Sequence, residues 1–225
     1  DEVGELVLRN NYLQSQALSC AVVQAPSLLE VHERLIESLE REGRLDRTIE
    51  FLPDKEQIGE RRADGIGLAA PELCVLLAYV KIKLFQDLLD SKLPDDPFFA
   101  RELQQYFPTA LQRKFSDQIA GHRLSREIIS TVVANGVANR AGITFAFRLS
   151  EETGSDAEDI ARAYTTAREV YKMESLWSAI EDLDNQVKAQ DQTYMLLESR
   201  RLVERASRLF DRVVRDRSWD WHQCF

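Results

Sequence analysis

Residues 71–89 read PELCVLLAYVKIKLFQDLL, which is the most hydrophobic stretch of the chain. Pro71 suits the first position of a helix, because the amide hydrogen that it lacks would be unpaired there in any residue. Apolar residues at helical spacing form one face, and others cover much of the remaining surface. The first set is Leu73, Leu76, Leu77, Val80, Leu84 and Leu88, and the second is Val75, Ile82, Phe85 and Leu89. A helix that is apolar nearly all round is packed by several neighbours. The stretch therefore predicts an all-α fold, an irregular multi-helix bundle around a central hydrophobic helix at residues 71–90.

Helical periodicity continues on both sides of this segment, and only 9 Gly and 6 Pro interrupt it. Upstream, the pattern predicts helices from Val3 towards Pro26, from Leu28 to a stop at Gly43, and from Asp54 through Arg62. Downstream, it predicts short helices around Pro108 and longer helices over residues 124–147, 155–171, 176–183 and 194–214. Residues 48–52 (TIEFL) have the composition of a strand but are too isolated to form a sheet.

Local signals refine two of the downstream helices. The interruptions at Gly136 and Gly142 fall within one long helix. Ser155 and Glu158 match a capping box, in which the Ser hydroxyl and the Glu carboxylate bind amides at the start of a helix. Along the long helix lie Leu124, Ile128, Val132, Val137 and Phe147. We therefore expect one interrupted helix followed by a new one that starts at Ser155.

The composition excludes several classes of protein. A net charge of −9 repels phosphate backbones and argues against nucleic acid as the main partner. The odd number of cysteines, Cys20, Cys74 and Cys224, without a CxxC motif fits a reducing cytoplasm better than a disulfide framework. No apolar run reaches the length of a membrane span, and no signal peptide heads the chain. Because Asp1 stands where a start methionine is expected, the chain is predicted to be part of a longer protein.

Residues 65–70 (GIGLAA) match GxGxxA, the loop that approaches the pyrophosphate of a dinucleotide. That loop must follow a buried hydrophobic strand, whereas residues 60–64 (ERRAD) precede it here. We therefore interpret residues 65–70 as a connection between two helices.

Arginines recur along one face of the last helix, an arrangement able to bind phosphates or carboxylates. Glu204 and Asp211 interrupt this face and lie four residues before Arg208 and Arg215, so a face of salt bridges is favoured. Whether it is solvated or docked to another domain stays open. The face comprises Arg201, Arg205, Arg208, Arg212 and Arg215.

The remaining polar residues predict no catalytic, cofactor-binding or metal site. His32, His122 and His222 are far apart, without Cys or acidic residues at ligand spacing. Cys20 and Cys74 are predicted to be small core residues. The carboxylates show no general acid/base pair. Polar clusters at residues 10–11, 139–140 and 184–186 either connect helices or contact a neighbouring domain.

Several blocks of the sequence together resemble the C-terminal part of the large bacterial NAD-specific glutamate dehydrogenases. They are residues 8–19, 61–99, 106–115, 122–154, 159–171 and 176–187, for example RRADGIGLAAPELCVLLAYVKIKLFQDLLDSKLPDDPFF and HRLSREIISTVVANGVANRAGITFAFRLSEETG. The blocks occur in family order over nearly the whole chain. The family usually has Thr-Arg where this chain has Ala69-Ala70, so a side-chain N-cap worth about 1 kcal/mol is lost.

The resemblance implies a parent enzyme that oxidises L-glutamate with NAD to 2-oxoglutarate and ammonium, in the cytoplasm and as a homo-oligomer. The catalytic, glutamate-binding and NAD-binding residues of that family lie in the preceding dehydrogenase domain. Residues 1–53 would then be a helical connector leaving that domain, and residues 54–225 a helical C-terminal domain that braces it or supports assembly or regulation. The alternatives are a free-standing helical protein-interaction module and, through the arginine face, a nucleic-acid-binding domain.

Overall fold

The computed structural model describes residues 2–215, with side chains up to residue 213, and this part of the chain contains α-helices and no strand. The predicted all-α class is confirmed. The first six helices are α1 (Glu2–Gln24), α2 (Leu29–Arg41), α3 (Lys55–Ala63), α4 (Ala70–Leu89), α5 (Ala100–Tyr106) and α6 (Thr109–Lys114). The others are α7 (Ser116–Ala120), α8 (Ser125–Gly136), α9 (Phe145–Thr153), α10 (Ala157–Val170), α11 (Met173–Glu181) and α12 (Ala189–Arg215). Residues 48–52 form turns.

Helix α4 buries the face that its leucine spacing predicts. Leu73, Leu76 and Leu88 are fully buried, and α4 packs mainly on α8, with α1 and α10 also in contact. The opposite face differs from the prediction of a helix covered all round, because Ile82 is 58% exposed and Cys74 is also exposed. Helix α4 is therefore the centre of the apolar packing on one side and part of the surface on the other.

The interruptions that the sequence predicts at Gly136 and Gly142 are confirmed, whereas part of the predicted apolar face is wrong. Helix α8 ends at Gly136 and continues as a five-residue π-helix (Val137–Ala141), after which Gly142 adopts a φ of 110° that only glycine takes readily. The predicted apolar face is shifted by one residue in α8, since Leu124 is exposed and Ile129 is buried, whereas Val137 is buried as predicted. The interruption reflects the packing of α10, whose Tyr164 hydroxyl donates a hydrogen bond to the Gly136 carbonyl at 3.1 Å.

Three helix starts show how the chain uses its caps. At α3 the Asp54 carboxylate accepts from the Gln57 amide at 2.9 Å, while at α4 Ala69 provides no side-chain cap, as the sequence predicts. The predicted capping box of Ser155 is wrong by one residue. Asp156 is the N-cap of α10 and accepts from the Asp159 amide at 2.9 Å, because the Ser155 hydroxyl is already bonded to Thr153 at 2.8 Å.

The C-terminal helices complete the bundle. Helix α12 packs mainly on α10 and also contacts α11 and α1. Trp177 of α11 and Tyr164 of α10 are the largest fully buried side chains in the described part of the chain. Within residues 2–215, no helix combines the length and the apolar character needed to cross a membrane.

Candidate functional site

The GxGxxA match at residues 65–70 connects α3 to α4, as the sequence analysis concluded. Gly65 ends α3 with a φ of 68°. Gly67 lies directly against the corner between α1 and α2, where a Cβ atom would overlap the Ala25 carbonyl group. Both glycines therefore serve a turn and a close backbone approach, and no strand precedes them in the described chain.

The arginine face of α12 divides into paired and solvated residues. Arg201 pairs with Glu198, and Arg208 lies 2.6 Å from both Glu204 and Glu152, which ties α12 to α9. The predicted Glu204–Arg208 pair is confirmed. Arg205 and Arg212 are exposed, and the side chain of Arg215 lies outside the described residues.

The histidines and cysteines are dispersed. His32 is buried, and this burial, together with the nearby Arg148 charge, lowers its pKa to about 4. His122 Nδ1 accepts from the Leu124 amide at 3.1 Å. Cys20 is buried as predicted, but the prediction for Cys74 is wrong because its side chain lies on the exposed face of α4. His222 and Cys224 lie outside the described residues. Among residues that the structure describes, no group of three His, Cys, Asp or Glu side chains forms a metal site.

A buried polar cluster joins α1, α11 and α12 through the π-helix. We call it the polar core, and it consists of Arg9, Asn139, Arg140, Trp177, Glu181, Ser199 and Arg200. The Glu181 carboxylate lies 2.7 Å from Arg140 and 2.6 Å from Arg9. The Arg140 guanidinium also lies over the Trp177 ring, 4.5 Å from its centroid. The Trp177 indole donates to Ser199 at 3.0 Å, so the cluster is held by contacts from four elements.

The π-helix explains how two successive polar residues are both buried. Its wider turn displaces the side chains from α-helical positions, and such segments often occur at functional sites. Asn139 and Arg140 are 6% and 7% exposed, and the Asn139 carbonyl accepts from Arg200 Nη2 at 2.9 Å. The cluster at residues 139–140 therefore connects helices within this chain. Arg200 was missed by the sequence analysis, and its only signal is its position one residue before the predicted arginine face.

The other two polar clusters are placed near the same end of α1. Asp184 accepts from the Tyr12 hydroxyl at 2.7 Å and from Gln192 at 2.7 Å, so residues 184–186 also connect helices. Asn10 lines the cleft described next, and the Asn11 carbonyl accepts from Ser15 at 3.1 Å within α1.

A cleft of about 650 Å³ opens between α1, α5, α8 and α10. Arg168 and Glu102 form an ion pair at 2.6 Å in its wall, and Glu102 is buried. Arg101 and Glu169 pair at 2.6 Å at its rim. These four charged groups of the cleft are therefore bound to one another rather than aimed at its open space.

A second groove of about 720 Å³ lies between α2, α4, α9 and α10. Its floor is apolar, and its rim has more acidic than basic groups. Lys83 lies 2.9 Å from Glu42 and 3.0 Å from Asp87, and Arg34 lies 3.0 Å from Glu151. The size is that of a small-molecule pocket, and the Ser38 hydroxyl at its rim donates to Glu42 at 3.3 Å. The absence of catalytic, cofactor-binding and metal residues from this chain stays a prediction.

Comparison with known proteins gives consistent results. The family described as "Glutamate dehydrogenase, C-terminal" matches residues 65–222. NAD-specific glutamate dehydrogenases are 45% identical over 96% of this chain in Pseudomonas aeruginosa, 43% over 93% in Halomonas elongata, and 38% over 92% in Mycobacterium tuberculosis. The chain spans about 13% of the length of each of these relatives.

The match with the family extends from the connection after α3 through α12 and includes the π-helix and most of the polar core. Two thirds of the chain and its central helix α4 thus lie within the matched region, and the resemblance drawn from residues 61–99 and 122–154 is confirmed. The chain belongs to the glutamate dehydrogenase C-terminal family.

Proposed function

We propose that this chain is a non-catalytic helical segment of an NAD-dependent glutamate dehydrogenase and that it braces the catalytic domain. The parent enzyme would convert L-glutamate and NAD to 2-oxoglutarate, ammonium and NADH, with NAD bound outside this segment. Relatives that carry the NAD-specific glutamate dehydrogenase name support the parent activity. The ion pairs of Glu102 and Glu169 in the cleft and of Glu42, Asp87 and Glu151 in the groove support the non-catalytic part.

The observation that carries the bracing role is the exposed apolar surface of the first half of α1. Val3, Val7 and Leu8 are 54%, 55% and 68% exposed, and the first buried residue of this helix is Ala17. Isolated apolar residues at a surface are common, but several on two successive turns of one helix indicate a contact surface. We call Val3, Val7 and Leu8 the α1 patch.

The α1 patch is held in a fixed position by polar contacts on other sides of the helix. Glu2 accepts from the Thr109 amide at 2.8 Å, Arg9 pairs with Glu181, and Tyr12 donates to Asp184. A helix clamped by long-range polar contacts while its apolar side chains remain exposed is suited to hold a neighbouring domain. The dehydrogenase domain is the proposed neighbour, with residues 1–53 as the connector and residues 54–225 as the C-terminal domain. A cytoplasmic homo-oligomer completes the proposal.

The test uses the full-length dehydrogenase that contains this segment. Replacing Val3, Val7 and Leu8 with Ser should lower the thermal midpoint of the dehydrogenase domain and weaken glutamate oxidation. The matched control replaces Ile82 with Ser, because Ile82 is equally exposed but lies on α4. Size-exclusion chromatography with light scattering reports assembly in parallel.

The outcomes separate the proposal from its alternative. A lower thermal midpoint or a lower activity in the triple variant, but not in the Ile82 control, supports bracing. Unchanged kinetics and unchanged assembly after deletion of the whole segment would reject bracing and favour a free-standing interaction module.

A further inference from the structure

Arg200 is a buried cation whose charge is not balanced by a carboxylate among the described residues. Its side chain is 6% exposed, and within residues 2–213 the Asn139 carbonyl is its only hydrogen-bond partner. Burial lowers the pKa of this guanidinium, but an arginine remains protonated in proteins. A buried charge that lacks a counter-ion destabilises the fold by several kcal/mol.

The groups nearest Arg200 do not supply the missing negative charge. Burial raises the pKa of the Cys20 thiol, which therefore stays neutral. Arg140 adds a second positive charge nearby, and the Glu181 carboxylate is already shared by Arg140 and Arg9. The Asn139 carbonyl does bind Arg200, but as a neutral dipole it offsets only part of the charge.

A cavity of about 20 Å³ lies beside the Arg200 guanidinium. Its lining includes three arginines, Arg148, Arg200 and Arg201, and one acidic residue, Glu204, which is already bound to other arginines. Glu204 lies 2.5 Å from Arg148 and 2.6 Å from Arg208, so it is not available to Arg200. His32 also lines the cavity, and its Nδ1 atom is buried without a hydrogen-bond partner among the described residues.

Gly142 keeps the guanidinium beside this cavity. A Cβ atom at this position would lie 3.5 Å from Arg200 Nη1, and the φ of 110° disfavours any other residue. The glycine therefore leaves the Nη1 side of the guanidinium uncovered towards the cavity. Two buried groups that carry hydrogen-bond donors, Arg200 and His32, thus border one small space.

We propose that the cavity beside Arg200 binds one monatomic anion of the size of chloride or bromide. Its volume exceeds the roughly 10–15 Å³ that one water molecule needs and is too small for a phosphate or a carboxylate ligand. The anion neutralises Arg200, and the neutral imidazole of His32 supplies a second donor. Because the site joins α12 to the π-helix and α2, its occupancy stabilises the contact between these elements.

The first test measures thermal unfolding of the chain in sodium chloride and in sodium gluconate at equal ionic strength, since gluconate is too large for the cavity. Chloride should raise the midpoint saturably, by about 3 °C. Arg200→Met should abolish the difference between the two salts. Arg205→Met is the matched control, because Arg205 is exposed on the same helix and does not line the cavity, and it should keep the full difference.

The second test is independent of any variant. Crystals of the unmodified chain grown in bromide should show an anomalous peak in contact with Arg200 Nη1. Equal midpoints in both salts, or a chloride effect that Arg205→Met removes as well, would overturn the proposal. A bridging water in the cavity without an anomalous peak would also overturn the proposal. Anomalous peaks found only at the protein surface would do so too, because they would indicate an adventitious ion only.

Discussion

The buried face of α4 and the polar core occupy the same bundle but are stabilised in different ways. Leu73, Leu76 and Leu88 are fully buried among other apolar side chains, and any well-fitting neighbour satisfies them. Arg140 and Glu181 are nearly as buried, yet each depends on one particular partner at 2.7 Å. Burial without that partner costs several kcal/mol.

This difference shows where the structure is tolerant and where it is specific. An apolar contact is non-directional and is lost in proportion to the volume removed. An ion pair in the interior either has its partner or leaves an uncompensated charge. The polar core is thus the part of the bundle that fixes the relative placement of α1, α11, α12 and the π-helix.

The largest expected effect comes from breaking the polar core. Glu181→Leu leaves Arg9 and Arg140 without their shared carboxylate and should lower the free energy of unfolding by about 4 kcal/mol. Urea unfolding followed by circular dichroism measures the change. The control is Glu198→Leu, which removes an exposed pair with Arg201 and should change stability by less than about 0.5 kcal/mol. Equal losses in both variants would contradict the special role of the buried pair.

The apolar face of α4 provides the second comparison. Leu88→Ala removes a fully buried side chain and should cost about 3 kcal/mol through lost transfer energy and a cavity. Ile82→Ala on the exposed face of the same helix should cost far less. Both are measured by urea unfolding at low and high salt, where the Leu88 effect should not change. If Ile82→Ala were as costly as Leu88→Ala in the isolated chain, α4 would be packed all round after all.

The third prediction concerns pH and His32, which borders the polar core. Its folded pKa of about 4 lies below the ordinary value of 6.5, so between these values the unfolded chain binds a proton that the folded chain does not. The contribution of His32 to the free energy of unfolding is therefore complete above pH 6.5. It falls as the pH drops, by about 2 kcal/mol between pH 7 and pH 5. Unfolding free energies at these two pH values test this. His32→Gln should flatten the dependence, and an unchanged slope would assign it to other groups.

The smallest effect is expected at the contact between α10 and the end of α8. Tyr164→Phe removes the hydrogen bond to the Gly136 carbonyl at 3.1 Å but keeps the ring that packs against Phe145. The loss should be about 1 kcal/mol. Tyr171→Phe serves as the control, because Tyr171 lies half-exposed just after the same helix. Thermal unfolding measures both variants. An equal loss of stability in Tyr171→Phe would show that the hydrogen bond of Tyr164 does not cause the effect.

The sequence was sufficient for the all-α class and for the side of α4 that is buried. Leucines at spacings of three and four residues define a face whatever the neighbours are, so Leu73, Leu76 and Leu88 were correctly predicted. The context of residues 65–70 likewise identified a helix connection, because a dinucleotide loop requires a strand that the sequence does not have. The family resemblance rested on residues alone.

The sequence did not reveal which polar residues are buried. Arg200 and Arg201 are adjacent and chemically identical, yet a helical step of one residue places the first inside and the second in solvent. Asp156 rather than Ser155 caps α10 because Thr153 already binds the Ser155 hydroxyl. The π-helix appears only once α10 and α12 pack against it. Apolar periodicity is a local property that a sequence records directly, whereas a buried charge depends on partners that are distant in the chain and that only the tertiary structure brings together.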